Sequence, residues 1–285
     1  MQGIIEQNYI EDHGYRHITI HVGSLKNASE IIEQPTLFEK PLDSTSMILK
    51  ELNHKIDGIH LIKASDLLSD LEKNYLLDES MVLYQHKDHF HFNTDTKLLA
   101  QFMQVKKNER VLDIGTNNGA LLLAADQYPV KELIGVEVLE PACLVAQKNA
   151  DTFFHHPTRI IHSRVQELQI DPVDVIVCNP PYFSKKATNP NTELSYRQLG
   201  RIEENLTLEE LAFHANRLLK SNGRFYMVHR IQRLNDIFTY LLKNHFHVKT
   251  FQIAYDSRDK QAKSVLIEAI KESNCDCFCK EALMI

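Results

Sequence analysis

The sequence has 285 residues, of which 43% are hydrophobic and 25% charged, with a formal net charge of −6 and a pI of about 6.2. That balance suits a soluble chain of one large domain or two smaller ones. It excludes a protein that coats nucleic acid or membrane by bulk charge, so any nucleic-acid partner has to be held by a local patch. No stretch approaches the ~18 apolar residues of a membrane helix, and the amino end lacks the basic-then-apolar order of a signal peptide, which makes the cytoplasm the expected location.

Residues 1–70 form a small amino-terminal module apart from the rest. In it HITIHVGSL (17–25) is a candidate strand, QPTLFEKPLD (34–43) is extended and TSMILKELNHKID (45–57) is an amphipathic helix. Residues 71–285 form the main domain, where from Arg110 short apolar strands alternate with amphipathic helices, the pattern of a parallel sheet covered on both faces. RVLDIG (110–115) is the first strand and ALLLAADQY (120–128) the helix after it. ELIGVEV (132–138) precedes a helix opening at Pro141, the favoured first-turn position, and running to about Ala150.

RIIH (159–162) and DVIVCN (174–179) are the third and fourth strands. A polar segment (184–205) leads to TLEELAFHANRLLK (207–220), a helix opened by the capping pair Thr207 and Glu210. GRFYMVH (223–229) is the fifth strand, a helix spans about 231–244, and HVKTFQIAY (247–255) with AKSVLIEAI (262–270) is an antiparallel closing hairpin. The fold class is therefore α/β: a seven-stranded, mostly parallel, Rossmann-like sheet with an antiparallel carboxyl-terminal hairpin and a small amino-terminal module.

The five cysteines are an odd number for a secreted disulfide framework. Cys275, Cys277 and Cys279 alternate in CDCFC, a spacing that would line three sulfurs along one side of a strand and suit a soft metal. The favoured reading is a reduced, partly frayed tail and no metal.

Two places carry chemistry. VLDIGTNNGALL sets Asp113 at a strand end, followed by a turn with Gly115, Asn117 and Gly119 and then a helix. Glycine lets backbone approach a ligand closely, and ligands of such sheets lie over the strand ends. The stretch resembles the D-x-G-x-G-x-G turn of class I methyltransferases, with Asn117 at the middle glycine, a residue that visits left-handed angles readily. The resemblance implies S-adenosylmethionine as cofactor, with Asp113 near its amino acid portion. Glu137 lies where an acid pairs with ribose hydroxyls in nucleotide folds, about twenty residues on. In IIHSRVQEL (160–168) Arg164 stands where the pattern has an acid facing the adenine, leaving Val165 and Gln166 to line that wall.

The second place is CNPPYF (178–183). Prolines neither continue a buried strand nor donate to its ladder, so the exit has another use. The Asn179 side-chain oxygen and the Pro180 carbonyl are two acceptors that grip both hydrogens of a planar amino group. Pulling them from the ring plane favours the configuration that attacks a methyl sulfonium. Tyr182 offers a stacking face, Phe183 extends it, and Pro180 and Pro181 fix the loop before substrate arrives. Lys185, Lys186, Arg197 and Arg201 in the following polar segment are placed to touch phosphates around a flipped base.

Across residues 75–272 the chain resembles the bacterial tRNA1(Val) (adenine(37)-N(6))-methyltransferase family, through FHFNTDTKLLAQF (90–102), the two stretches above, IGVEVLE, LTLEELAFHANRLLKSNGRFYMVH and SRDKQAKSVLIEAIK. That implies transfer of a methyl group from S-adenosylmethionine to the 6-amino group of the adenine beside the anticodon. The two motifs also occur in methyltransferases acting on DNA adenine, rRNA guanine and protein glutamine. A glutamine methyltransferase and a non-catalytic cofactor-binding adaptor are the alternatives. Residues 1–70 are similar to the carboxyl tail of Y-family translesion DNA polymerases, which implies a sliding-clamp contact through Gln34, Leu37 and Phe38.

Overall fold

The computed structural model describes residues 2–4, 19–21, 71–87, 91–180 and 206–285. The clamp peptide residues Gln34, Leu37 and Phe38, the segments 34–43 and 45–57, and Pro181, Tyr182, Phe183, Lys185, Lys186, Arg197 and Arg201 lie outside the described residues. The chain divides into two units, Met1–Asp70 and Leu71–Ile285. In the first, β1 (Gln2–Ile4) pairs antiparallel with β2 (Thr19–His21), which falls inside the strand expected over 17–25.

The second unit begins with a hairpin, β3 (Leu71–Tyr75) and β4 (Val82–His86), and a helix α1 (Thr94–Phe102). Next come β5 (Arg110–Ile114), α2 (Ala120–Ala125), β6 (Glu132–Glu137), α3 (Glu140–Phe153), β7 (Thr158–His162) and β8 (Val173–Cys178). The chain continues through α4 (Leu208–Leu218), β9 (Leu219–Arg230), a 3-10 turn at Ile231–Arg233, α5 (Leu234–Lys243), β10 (Phe246–Tyr255) and β11 (Ala262–Lys271).

These strands form one sheet in the order β7-β6-β5-β8-β9-β11-β10, parallel from β7 to β9 and antiparallel at β11 and β10. This is the doubly wound arrangement the alternation predicts. The connections run outward from β5 through β6 to β7, then return to the other side of β5 with β8. The direction in which the chain winds across the sheet reverses between β5 and β8, and in such sheets ligands bind at that switch, over the carboxyl ends.

Side chains alternate along each strand between two apolar layers. Val111, Leu133, Val175, Val177, Tyr226 and Val228 join Leu98, Leu99 and Leu121–Leu123 of α1 and α2 on one face. Leu112, Ile114, Ile134, Val136, Ile176, Phe225 and Met227 join Leu208, Leu211 and Leu218 of α4 and Ile237 and Leu241 of α5 on the other. Helix α4 carries the capping box expected from Thr207 and Glu210, and its buried Leu208, Leu211, Ala212, Ala215 and Leu218 make a single stripe at helical spacing. It ends earlier than the 207–220 expected, because the chain passes directly into β9, with Asn222 at φ +60° taking the turn.

The carboxyl-terminal segment corrects the sequence reading. Instead of a frayed tail, β12 (Phe278–Cys279) and β13 (Leu283–Met284) run parallel along β10, raising the sheet to nine strands. The Lys280 and Ile285 amides donate to Phe251 and Tyr255 carbonyls at 2.9 and 2.8 Å. The outer edge of β10 would otherwise present unpaired backbone groups, and the tail satisfies them. All five cysteines are free thiols, and among the described residues no group of three His, Cys, Asp or Glu is placed to hold a metal. No helix among the described residues is long and apolar enough to cross a membrane.

Gly135, mid-strand in β6, is where the turn after β5 presses closest to the sheet. A Cβ there would lie 2.7 Å from Thr116 Cγ2 and 3.0 Å from Ile160 Cδ1 and Leu122 Cδ1. Gly135→Ala is expected to lower stability by about 1–3 kcal/mol through overpacking. It is also expected to displace the 115–119 turn, and chemical denaturation together with cofactor titration reads both effects.

Candidate active site

The two-residue period of the strands settles which candidate side chains share a face. Asp113, Glu137 and Asn179 all lie in step with Val111, Leu133 and Val177, on the face carrying α1 and α2, at the carboxyl ends of three adjacent strands in the order β8-β5-β6. Asp113 and Asn179 flank the β5/β8 switch itself.

Asp113 is 1% exposed, and neither carboxylate oxygen has a hydrogen-bond partner. Burial pushes its pKa up to about 7; the nearby Thr116 hydroxyl offsets part of this without reaching bonding geometry, and the Glu137 charge adds to it. The Thr116 hydroxyl is likewise buried and unpartnered. Two such groups beside one turn are suited to receive the amino group of a ligand, because an unmatched buried acceptor is costly and a cation relieves it.

The turn is left-handed at three points: Gly115 at φ +73°, Asn117 at φ +49° and Gly119 at φ +83°. Asn117 thus adopts the angle required of a residue replacing glycine. A Cβ on Gly115 would have no atom within 4 Å, so the backbone there faces open space, while Gly119 opens α2.

Glu137 is 8% exposed, and burial raises its pKa against three backbone donors. Its Oε2 accepts from the Asn117 amide at 2.9 Å, and its Oε1 accepts from the Val138 and Leu139 amides at 2.8 and 2.9 Å. The carboxylate therefore shapes the turn by tying β6 to it. Oε1 is filled by its two amide donors, whereas Oε2 keeps a second acceptor direction, compatible with the ribose contact expected of this position.

A chain of buried amides that the sequence reading missed supports the same turn. Asn149 of α3, fully buried, accepts from the Tyr84 amide at 2.7 Å and donates through Nδ2 to the carbonyls of Tyr84 and Asn118 at 2.9 and 2.8 Å. Asn118 Nδ2 donates to Gln85 Oε1 at 2.9 Å, and that oxygen also accepts from the Phe92 amide at 2.9 Å. The β3–β4 hairpin is thereby bolted to the turn and to the segment entering α1.

Asn179 Nδ2 donates to the Thr96 hydroxyl at 2.9 Å. Thr96 sits in the first turn of α1, where Asn93 caps the helix: Asn93 Oδ1 accepts from the Thr96 amide at 3.0 Å and from its hydroxyl at 3.2 Å. Asp95, one residue earlier, accepts from Ser264 of β11. The start of α1 is fixed over the ends of β8 and β11, and Pro180 beside Asn179 is buried.

Val165 and Gln166, the expected adenine wall, follow β7. Val165 is buried in the layer with Leu168, and Arg217 of α4 donates to the carbonyls of Val165 and Leu168 at 3.0 and 2.8 Å, so the backbone of this turn is held from behind. Gln166 is half-buried and Arg164 is exposed. Sequence reasoning also passed over His229 at the end of β9, 1% exposed, which burial and the nearby Arg233 hold down at about 4 and therefore neutral.

Residues 88–254 match the family described as methyltransferase small domain. A tRNA1(Val) (adenine(37)-N6)-methyltransferase of Aeromonas hydrophila is 30% identical over 189 residues, 64% of this chain and 79% of that protein. Proteins of the same name from Parabacteroides distasonis and Proteus mirabilis are 28% and 34% identical over 54% and 47% of this chain. The chain spans 65% and 55% of their respective lengths, less than two thirds of either. Among solved structures, the M. jannaschii tRNA m1G37 methyltransferase superposes with a TM-score of 0.55 at 14% identity over 81% of this chain and 69% of that one, a likeness of fold. The family match stops short of residues 1–70. With more than half of its length matched, the chain belongs to the methyltransferase small-domain family.

Proposed function

We propose that the protein transfers a methyl group from S-adenosylmethionine to the 6-amino group of an adenine in tRNA, at position 37 of tRNA1(Val). The observation that carries this reading is the placement of Asn179 beside Asp113 at the β5/β8 switch, on one face of the sheet, with its amide held by Thr96. The names of the relatives at 28–34% identity support the substrate.

The residues present fit the cofactor. The unpartnered Asp113 carboxylate and Thr116 hydroxyl suit the α-amino end of its amino acid portion, Gly115 offers backbone open to a ligand, and Glu137 Oε2 keeps an acceptor direction for its ribose. When bound, the cofactor supplies a methyl group on a positively charged sulfur. Asn179 Oδ1 and the Pro180 carbonyl orient the amine by accepting its two hydrogens, so that the nitrogen lone pair leaves the ring plane. Tyr182 and Phe183 stack the base, and Lys185, Lys186, Arg197 and Arg201 hold the flanking phosphates. No strong base is needed, because the proton lost after transfer leaves an already cationic nitrogen.

Incubation with methyl-labelled cofactor and total tRNA tests the reading. Label in intact tRNA that disappears after ribonuclease treatment supports it. Label in a glutamine-containing protein fraction, or in neither, contradicts it.

A further inference from the structure

We propose that Thr96 is a positioning residue for Asn179: its hydroxyl dictates which end of the Asn179 carboxamide faces the substrate. The inference rests on the transfer reading above and adds to it a residue outside both sequence motifs.

A carboxamide is nearly symmetric in shape, so packing alone does not distinguish Oδ1 from Nδ2. Only one orientation serves an amine, since only the oxygen accepts its hydrogens. The structure carries a chain of hydrogen bonds whose direction is fixed at its far end by a group that cannot reverse. The backbone amide of Thr96 can only donate, and it donates to Asn93 at 3.0 Å, which makes the Asn93 atom there the oxygen. That oxygen accepts the single hydroxyl proton of Thr96 at 3.2 Å. With its proton committed, the Thr96 oxygen can only accept, and Asn179 reaches it at 2.9 Å, so Asn179 presents Nδ2 there and turns Oδ1 to the opposite side.

Helix geometry makes this relay rigid. Thr96 and Asn93 form the capping box of α1, and the Asp95–Ser264 bond fastens the same helical turn to β11. Both Asp95 and Thr96 are buried, which keeps water from substituting for either partner. The role needs a hydroxyl at position 96, not a threonine: serine preserves the relay and valine, of the same shape, removes it.

The test compares Thr96→Val and Thr96→Ser in the full chain. With tRNA as substrate, Thr96→Val is expected to lower kcat ~10- to 100-fold, as loss of an orienting contact does, while Thr96→Ser restores most of the rate. The dissociation constant for S-adenosylmethionine stays unchanged in both. In an Asn179→Ala background, Thr96→Val should cause no further loss. An independent reading needs no methyl acceptor: in protein labelled with 15N at asparagine, the Asn179 side-chain NH2 signal, assigned by its absence in Asn179→Asp, should shift and exchange faster in Thr96→Val but not in Thr96→Ser.

An unchanged Asn179 signal in Thr96→Val, or equal damage to kcat by serine and valine, overturns the proposal. Failure of the unaltered protein to methylate tRNA would instead overturn the transfer reading, and the asparagine signal would still decide the Thr96 relay.

Discussion

Replacing Asn179 by alanine is expected to reduce kcat at least ~10²-fold, the scale seen when one preorganised polar group is removed from a reacting centre. The dissociation constant for S-adenosylmethionine should hardly change. The two effects separate because Asn179 ends β8, whereas the groups assigned to the cofactor end β5 and β6. An amine lying in the plane of its ring has its lone pair delocalised, and in the proposed reaction Asn179 supplies one of two acceptors that draw its hydrogens out of that plane. Alanine leaves the Pro180 carbonyl alone to orient the group. Single-turnover rates with calorimetric cofactor titration measure both quantities, and loss of cofactor affinity in step with rate would point to a collapsed loop.

Asp113→Asn should move binding and stability in opposite directions. Burial holds the Asp113 carboxyl near 7, while in the unfolded chain it titrates near the ordinary ~3.9. Between those values the folded protein binds a proton that the unfolded chain has released, so stability falls as pH rises through the window and stays low above it. Asparagine has no charge to bury. The variant should exceed the parent by only about 1.5 kcal/mol near pH 5 and by up to about 4 kcal/mol at pH 8, where the whole three-unit displacement is expressed.

His229, held near 4, works the other way, losing stability as pH falls below its ordinary 6.5 toward that value. It is common to both proteins and cancels from their difference. Cofactor binding should show the complementary pattern: tightening in the parent as pH rises through 7, when the carboxylate becomes available to the α-amino cation. In the variant it should be weak and pH-independent. Denaturation and calorimetry at pH 5 and pH 8 give all four comparisons.

The parts of the site that the sequence announced share one property: their signal is local. Asp113, Gly115 and Glu137 follow apolar strands of clear two-residue period, and Asn179 precedes two prolines that end such a strand, so strand ends and turn could be placed without knowing what lay beside them. The parts it concealed are joined across long separations. Asn149 to Tyr84, Asn118 to Gln85 and Asn179 to Thr96 span 65, 33 and 83 residues, and an amide carries no mark of which distant carbonyl it will meet.

One local clue for α1 was present. Asn93 and Thr96 stand just before LLAQF, with Lys97 between, the spacing of a helix cap, which places a hydroxyl at the start of α1 but not against β8. The tail along β10 was hidden for another reason. Strands of two residues have no periodicity to detect, and what recruits them is the open edge of β10 rather than any preference of their own.

The central claim is that an adenine amine in tRNA is the acceptor, and nucleoside mass spectrometry measures that directly. Unmodified tRNA1(Val) is incubated with the protein and S-adenosylmethionine, digested, and compared with a reaction containing Asn179→Ala. The account predicts N6-methyladenosine at position 37 with the unaltered protein and none with the variant. Methylation of another base or of protein, or N6-methyladenosine formed equally by both, would contradict it.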